Sequence, residues 1–269
     1  MTNFKSDADS IPLSPNQVNP VWLQRVLSRN HSNPVQVQDL QSINSKDGML
    51  SSIFKAKVIM NGNEVNLFIK IMPSDENHKG FLEKFPLDAT EIFTYEDLMP
   101  KLMEFEHSAF GTSNLKKIFC EYFGGKCSTD SKSRGFYLIL EDICDSYKMQ
   151  DLYQGLTKEQ ILKVMKSLAN FHGISYCYGK LVGEIKCEPI FPKVLENPED
   201  RKFLDYYLKL AISELKNINE NDLAEKLQIL SKNYEDKFKE AFEGPNKDFL
   251  AHGDLWVNNV MFNDSNEVS

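Results

Sequence analysis

Cysteine is sparse here and follows no pattern. Five occur, Cys120, Cys127, Cys144, Cys177 and Cys187, an odd number with no C-x-x-C pair. That argues against a zinc site or a disulfide framework and for reduced thiols in the cytoplasm. Positive charge is also short: 31 Lys and Arg against 39 Asp and Glu leave a net charge of −8. Nucleic acid and anionic membranes call for a basic surface, so neither is an expected partner. No window approaches the roughly 20 apolar residues of a membrane-spanning helix. The first ten residues lack a positively charged lead followed by an apolar stretch, so no secretory signal is expected. Several catalytic motifs are missing too. There is no G-x-x-x-x-G-K-[ST] loop, no G-x-G-x-x-G and no H-E-x-x-H, which disfavours P-loop enzymes and metalloproteases. Gly173-Ile174-Ser175-Tyr176-Cys177 begins like a nucleophile elbow but ends in Cys within a helical pattern, which disfavours a hydrolase.

What is present is ordinary for a globular chain: 41% hydrophobic and 26% charged residues over a length of 269, enough for a sizeable core. Residues 1–19 are rich in Ser, Asn, Asp and Pro and are expected to be a flexible arm. A short helix is expected over Val21–Leu27. Ile53–Met60 and Glu64–Ile71 read as strands, and Asn61-Gly62 between them is a strong hairpin signal because a type I′ turn needs positive φ twice. A helix follows with Glu91, Tyr95 and Leu98 on one face, Pro86 near its start and Pro100 ending or kinking it. Phe136–Leu140 reads as a buried strand closed by Glu141-Asp142.

From residues 143–150 onward the pattern turns helical. Thr157-Lys158-Glu159-Gln160 forms a capping box, and Ile161, Met165, Leu168 and His172 form an apolar stripe. Phe203, Tyr206, Tyr207 and Leu210 mark another helix. Leu223, Leu227, Leu230, Tyr234, Phe238 and Phe242 form a third stripe, read as core, stopped by Gly244-Pro245. The expected organisation is an arm (1–19), a strand-rich segment (20–143) and a helical segment (144–269).

The sharpest chemical signal is His252-Gly253-Asp254 with Asn259 five residues after the Asp. Phosphoryl transfer from ATP uses a carboxylate to take the proton of the attacking hydroxyl and an amide oxygen to hold magnesium beside the phosphates. The bland reading is that Asp254 and Asn259 are turn residues. Lys70 on the return strand can pair with phosphates, oriented by Glu91. Alternatively Lys70 is an exposed strand charge, and Glu91 closes a capping box with Asp88. The loop Ser45–Ser52, with Gly48, Ser51 and Ser52, can cover phosphates with backbone amides and hydroxyls, or be an ordinary turn. The backbone at Glu141, Asp142 and Ile143 can meet an adenine edge, or simply end a strand in solvated acids. The order decides: loop, hairpin lysine, helix glutamate, strand to junction, helices, then the Asp/Asn loop. That is the part order of a protein-kinase-like fold, an α+β architecture with a small antiparallel-sheet lobe and a mostly helical larger lobe.

The string His252-Gly253-Asp254-Leu255-Trp256-Val257-Asn258-Asn259-Val260-Met261-Phe262 closely resembles the catalytic loop of the ecdysteroid-kinase-like (CHK kinase-like) family, which is similar to choline and aminoglycoside kinases. Leu168–Ser175 resembles its L-A-x-F-H-x-x-S helix. Glu91, Tyr95 and Pro100 match its E-x-x-x-Y-x-x-x-x-P spacing, and Leu138–Asp142 its hinge strand. The resemblance covers about residues 20–262. It implies an ATP- and magnesium-dependent kinase acting on a hydroxyl of a small molecule, an ecdysteroid-like or other alcohol. Asp254 would be the base, Asn259 a magnesium ligand, Lys70 the phosphate-pairing lysine and Glu91 its partner. His252 would hold the loop, and Trp256 would pack in the core or serve as an aromatic of the acceptor site. His172 is expected to be a hydrogen-bonded core residue.

The chain ends seven residues after Phe262. Family members continue into a D-F-Q-like strand, whose Asp is the principal magnesium ligand, and into more helices. The resemblance therefore implies an incomplete larger lobe and impaired transfer, because loss of a positioned catalytic group costs about 10²–10⁴-fold in rate. The alternative reading is a nucleotide- or partner-binding chain without catalysis.

Overall fold

The computed structural model describes residues 11–30, 34–43, 51–128, 130, 134–183, 185, 197–243 and 250–269. The chain divides into two compact units, Met1–Leu181 with Ala251–Ser269, and Val182–Leu250. It is α+β, an antiparallel sheet followed by mostly helical chain, as expected of a protein-kinase-like fold.

The first unit is organised on five strands, β1 (Val35–Ile43), β2 (Ser52–Met60), β3 (Asn63–Ile71), β4 (Tyr122–Ser128) and β5 (Gly135–Glu141), in the order β1-β2-β3-β5-β4. All neighbouring pairs are antiparallel. The β2–β3 hairpin turns on Asn61 and Gly62, both at positive φ (54° and 79°), as a type I′ turn requires. Alternation then sorts the side chains by face. Phe54, Ala56, Val58 and Met60 of β2, Leu67, Ile69 and Ile71 of β3, and Tyr137 and Ile139 of β5 are buried in one cluster. Helix α1 (Pro20–Asn30) covers that face with Trp22, Leu23, Val26 and Leu27. Each such side chain removed from water contributes roughly 1.5–3 kcal/mol. Of the arm expected over residues 1–19, residues 1–10 lie outside the described residues, and Ile11 and Val18 are buried in this cluster.

The other face carries Lys55, Lys57, Asn66, Phe68 and Lys70, with Phe136, Leu138 and Leu140 of β5. The β5 residues pack with Met72, Leu82 and Ile92. Leu82 belongs to helix α2 (Glu76–Lys84), whose first turn is capped by the Asp75 carboxylate accepting from the His78 N–H. Ile92 belongs to α3 (Leu87–Phe93). Helix α3 runs without a break through a π-turn, Thr94–Leu98, into α4 (Met99–Phe110). Pro100 neither ends nor breaks this helix. A proline ring clashes with the carbonyl four residues back and supplies no N–H. The π-turn just ahead of it, in which Met99 N–H donates to Thr94 O, takes up that mismatch.

Helix α5 (Lys158–Leu181) begins with the expected capping box: Gln160 N–H donates to Thr157 Oγ1 (3.2 Å) and Thr157 N–H to Gln160 Oε1 (2.9 Å). Its buried face is not the expected stripe. Val164, Phe171, Ile174 and Ser175 are buried, whereas Ile161 and Met165 are about half exposed. Apolar residues occupy two sides of this helix, so spacing alone assigns the wrong one. Two short strands complete the unit, β6 (Tyr147–Met149) and β7 (Met261–Asn263), paired antiparallel. In contacts, α5 and the 251–269 segment therefore go with the sheet, across the change of pattern at residues 143–150.

The second unit contains α6 (Pro198–Asn217), α7 (Asn221–Leu230) and α8 (Tyr234–Glu243). The long stripe expected from Leu223 to Phe242 is two helices with a turn at 231–233. Of its members Tyr234 is buried while Leu223 and Leu230 are exposed, and the buried residue of α7 is Ala224, which the stripe does not contain. Among the described residues no helix is long and apolar enough to cross a membrane.

Candidate active site

Lys70 lies on β3 opposite Ile53 on one side and Leu138 on the other. Its Nζ is 2.6 Å from Glu91 Oε1 on α3, and both side chains remain partly solvated. Glu91 does not close a capping box with Asp88. Asp88 turns instead to Arg134, with Nη2 2.6 Å from Asp88 Oδ1, in a pair that is almost fully buried. Arg134 also donates to the Ser128 and Leu82 carbonyls. Burial pushes the Asp88 pKa up and outweighs the pull of Arg134. Two carboxylates one turn apart on α3 thus fasten it differently, Asp88 to the β4–β5 hairpin and Glu91 to the lysine of β3.

The Asp254 loop is seated by the residues on its C-terminal side. Val260 and Phe262 are buried against Val164 of α5, with Leu156 and Val268 alongside. Strand β7 then pairs with β6, which lies just after Glu141–Ile143. The loop turns at Gly253 (φ 82°), and residues 257–259 form one 3-10 turn. Asn259 Nδ2 donates to Asp254 O (2.8 Å) and to Asp254 Oδ2 (2.7 Å). This fixes the amide so that its Oδ1 has no partner among the described residues. His252 Nδ1 accepts from the Asp254 N–H at 3.4 Å, a long bond within the loop. Desolvation holds the His252 pKa below its ordinary value, against the opposing pull of Asp254. Trp256 does not pack in the core. It is 46% exposed, and Val260 and Phe262 are the loop's apolar anchors. His172 is half-buried beside the Phe171 ring, centroids 6.1 Å apart.

At the junction after β5, Glu141 N–H donates to Glu121 O (2.8 Å) and Asp142 N–H to Asn66 O (2.9 Å). Those two amides are taken by the sheet and are not available to a base edge. The Ile143 N–H has no partner among the described residues, while its carbonyl accepts from Ser146 (3.0 Å) and Tyr147 (2.8 Å). Gly48 lies outside the described residues. Ser51 precedes β2, and Ser52 opens it opposite Ile71.

With the Lys70–Glu91 pair and the Asp254–Asn259 loop in one unit, the comparison with known proteins is direct: the ecdysteroid kinase-like family matches residues 45–269. The chain belongs to that family. It is also similar to "Uncharacterized oxidoreductase dhs-27" of Caenorhabditis elegans, 24% identical over 275 residues that take in 97% of this chain and 32% of that protein. The chain thus spans about a third of the length of this curated relative.

The E-x-x-x-Y-x-x-x-x-P spacing that likened the chain to the ecdysteroid kinase-like family has a physical reading here. Glu91 reaches Lys70. Tyr95 is partly buried and stacks on Tyr122 of β4 (6.2 Å, 14°), and desolvation drives its pKa well up. Pro100 sits at the exit of the π-turn. Sequence reasoning passed over Lys55, whose Nζ is 2.7 Å from Asp142 Oδ2, and the Arg134 partner of Asp88. It also passed over Glu106 of α4, which is fully buried and accepts from Thr112 Oγ1 (2.7 Å), Asn114 N–H (2.9 Å) and Leu115 N–H (2.9 Å). The Lys55 and Arg134 pairings join residues 46 to 87 apart in sequence, and no short motif announces them.

Proposed function

We propose that the protein is a small-molecule kinase that transfers the γ-phosphoryl group of ATP to a hydroxyl of an ecdysteroid-like or other alcohol. The observation that carries this reading is the Lys70–Glu91 contact, in which two charges from separate elements meet at 2.6 Å on a sheet face, in the same unit as the Asp254–Asn259 loop. Lys70 would pair with the phosphates as a point charge, and Glu91 would fix its direction. Asp254 would accept the proton of the attacking hydroxyl, with its carboxylate aimed by Asn259. Ser51 and Ser52, at the start of β2, would help cover the phosphates. The Ile143 N–H would meet the base edge.

The donor chemistry of Asn259 suits magnesium, since its amide nitrogen is committed to Asp254 and an amide oxygen is left over. Magnesium commonly takes one or two protein oxygens and completes its shell with phosphate and water. Among the described residues no group of three or more His, Cys, Asp or Glu side chains could hold a metal alone, so Asn259, with Asp254 beside it, would share the ion with ATP. When bound, the ion neutralises charge on the phosphates.

The oxidoreductase name of the nematode relative is not carried over. This chain covers 32% of that protein, and the sheet described here is antiparallel, unlike the parallel sheet of a dinucleotide-binding fold. The test is transfer of labelled γ-phosphate from ATP to a panel of small alcohols, including ecdysteroids. A labelled small-molecule product that is lost in Asp254→Asn and Lys70→Met supports the proposal. Binding of ATP with no transfer to any alcohol favours the non-catalytic reading, and transfer that survives both substitutions removes the site assignment.

A further inference from the structure

The first unit holds a cavity of about 1250 Å³ whose lining leaves out Lys70, Glu91, Asp254 and Asn259. One wall comes from α5 and from the 3-10 turn Leu115–Lys117. On α5, Lys163, Lys166, Ser167 and Asn170 fall at i, i+3, i+4 and i+7, which puts them on one helix face. The turn adds Lys116 and Lys117, both exposed. It is held from both sides. Before it, Glu106 accepts from the Asn114 and Leu115 amides, and the Leu115 side chain is fully buried. After it, the Phe119 ring lies 6.1 Å from that of Phe171 on α5.

Four lysines thus line one cavity in a chain whose net charge is −8. Lys163 is partly matched, with Glu159 Oε1 and Ser265 O both 3.4 Å from its Nζ. Lys116, Lys117 and Lys166 have no ion partner among the described residues. The carboxylates of the lining are better matched. Glu64 pairs with Lys57 (2.9 Å) and Asp142 with Lys55 (2.7 Å), while Asp145 accepts from Asn66 (2.9 Å). Glu121 and Glu141 stay exposed where β4 begins and β5 ends, away from the α5 wall in sequence and joined to each other through their backbones. Unmatched positive charge is therefore gathered on the wall of α5 and the 3-10 turn. Like charges so placed repel one another, and an anion between them removes that repulsion. The lining also offers apolar surface at Val65, Ile118, Phe119 and Phe123.

We propose that this cavity is a second ligand site, one that takes a phosphate monoester with an apolar body, its phosphate on Lys116, Lys117 and Lys166 and its body against Ile118 and Phe119. Lysine ammonium groups suit a phosphate as converging point charges, whereas a planar carboxylate is matched best by the arginine fork, and the lining contains no arginine among the described residues. The volume exceeds the roughly 300–1,000 Å³ of a site for a drug-sized molecule, far more than a bare phosphate ion fills. The proposed phosphoryl transfer would make a compound of this class, so its own product would qualify, but the binding does not rest on that reading.

Phenyl phosphate serves as the test compound, with inorganic phosphate and phenol as its two halves. Calorimetry on the full chain would compare wild type, the double variant Lys116→Ala/Lys117→Ala, Lys166→Gln and Lys70→Met, with magnesium-ATP titrated into each and melting curves as the check on folding. Wild type is expected to bind phenyl phosphate more tightly than either half, and less tightly as salt rises. The double variant is expected to lose about tenfold or more and Lys166→Gln about threefold, the scale of charge-assisted bonds. Both should bind ATP like wild type and melt like it, since these lysines are exposed. Lys70→Met is expected to do the reverse, keeping phenyl phosphate and losing ATP. Vesicles of phosphatidylcholine, with and without phosphatidic acid, separate a soluble ester from a lipid headgroup, and no co-sedimentation is expected with either. Absence of phenyl phosphate binding in wild type, equal binding in the double variant and Lys166→Gln, or loss confined to Lys70→Met each overturns the inference. So does co-sedimentation with phosphatidic acid vesicles that is lost in the double variant. Normal ATP binding by wild type alongside any of these results leaves the nucleotide site standing.

Discussion

On strands β2 and β3 alternate residues go to two faces, and the two sets differ in kind. Phe54, Ala56, Val58, Met60, Leu67, Ile69 and Ile71 are buried beneath α1. Lys55, Lys57, Asn66, Phe68 and Lys70 stand on the other side, each at least partly solvated. The first face is uniform, because burying apolar area rewards any well-packed side chain of about the right volume. The second is specific: Lys70 goes to Glu91 and Lys55 to Asp142, and charges held in place at the edge of an apolar surface add little to stability. Each strand therefore supplies both the fixed support and the face that carries the proposed site, and a shift of one residue in register would exchange them.

Breaking the reactive side should have the largest effect on rate. Asp254→Asn or Lys70→Met is expected to cut phosphoryl transfer by about 10²–10⁴-fold, some 3–5 kcal/mol of barrier, with little change in melting temperature. The support should fail differently. Arg134→Ala leaves the Asp88 carboxylate buried without its cation and should cost about 3–5 kcal/mol in urea unfolding. Ile69→Ala, on the apolar face, should cost about 3 kcal/mol by opening a cavity.

A smaller, pH-dependent effect is expected at Glu106. Burial pushes its pKa up, but the bonds from Leu115, Thr112 and Asn114 outweigh burial and leave it lowered. A lowered folded pKa means stability that is present above the unfolded value of about 4.3 and lost as pH falls towards the folded value. Unfolding midpoints followed from pH 7 down into that range should drop in wild type and flatten in Glu106→Gln. Smallest of all, Lys57→Ala removes the exposed Lys57–Glu64 contact and should leave the midpoint unmoved at physiological salt.

What could be read in the sequence depended on how local its cause was. The β2–β3 hairpin was legible because Asn61-Gly62 specifies the turn, and the start of α5 because Thr157 and Gln160 satisfy each other's amides. Strand β1 was not, because a bulge between Val37 and Asp39 breaks its alternation and moves Leu40 to the core side. Strand β4 hides behind Gly124-Gly125. Helix α4 was masked by Pro100, which reads as a stop unless a π-turn precedes it. In the site, Asp254 and Asn259 belong to one loop and are visible as a string. The partners of Lys55 and Asp88, Asp142 and Arg134, come from the residues that flank β5 and emerge only from the fold.

The most direct measurement of the division between the two faces sets Lys70→Met beside Ile69→Ala, neighbours in sequence on opposite sides of β3, and tracks urea midpoint and magnesium-ATP affinity in both. If the faces divide as described, Lys70→Met loses at least tenfold in ATP affinity with an unmoved midpoint. Ile69→Ala unfolds about 3 kcal/mol more easily yet binds ATP like wild type while folded. A Lys70→Met variant that binds ATP normally and is destabilised as much as Ile69→Ala would contradict it.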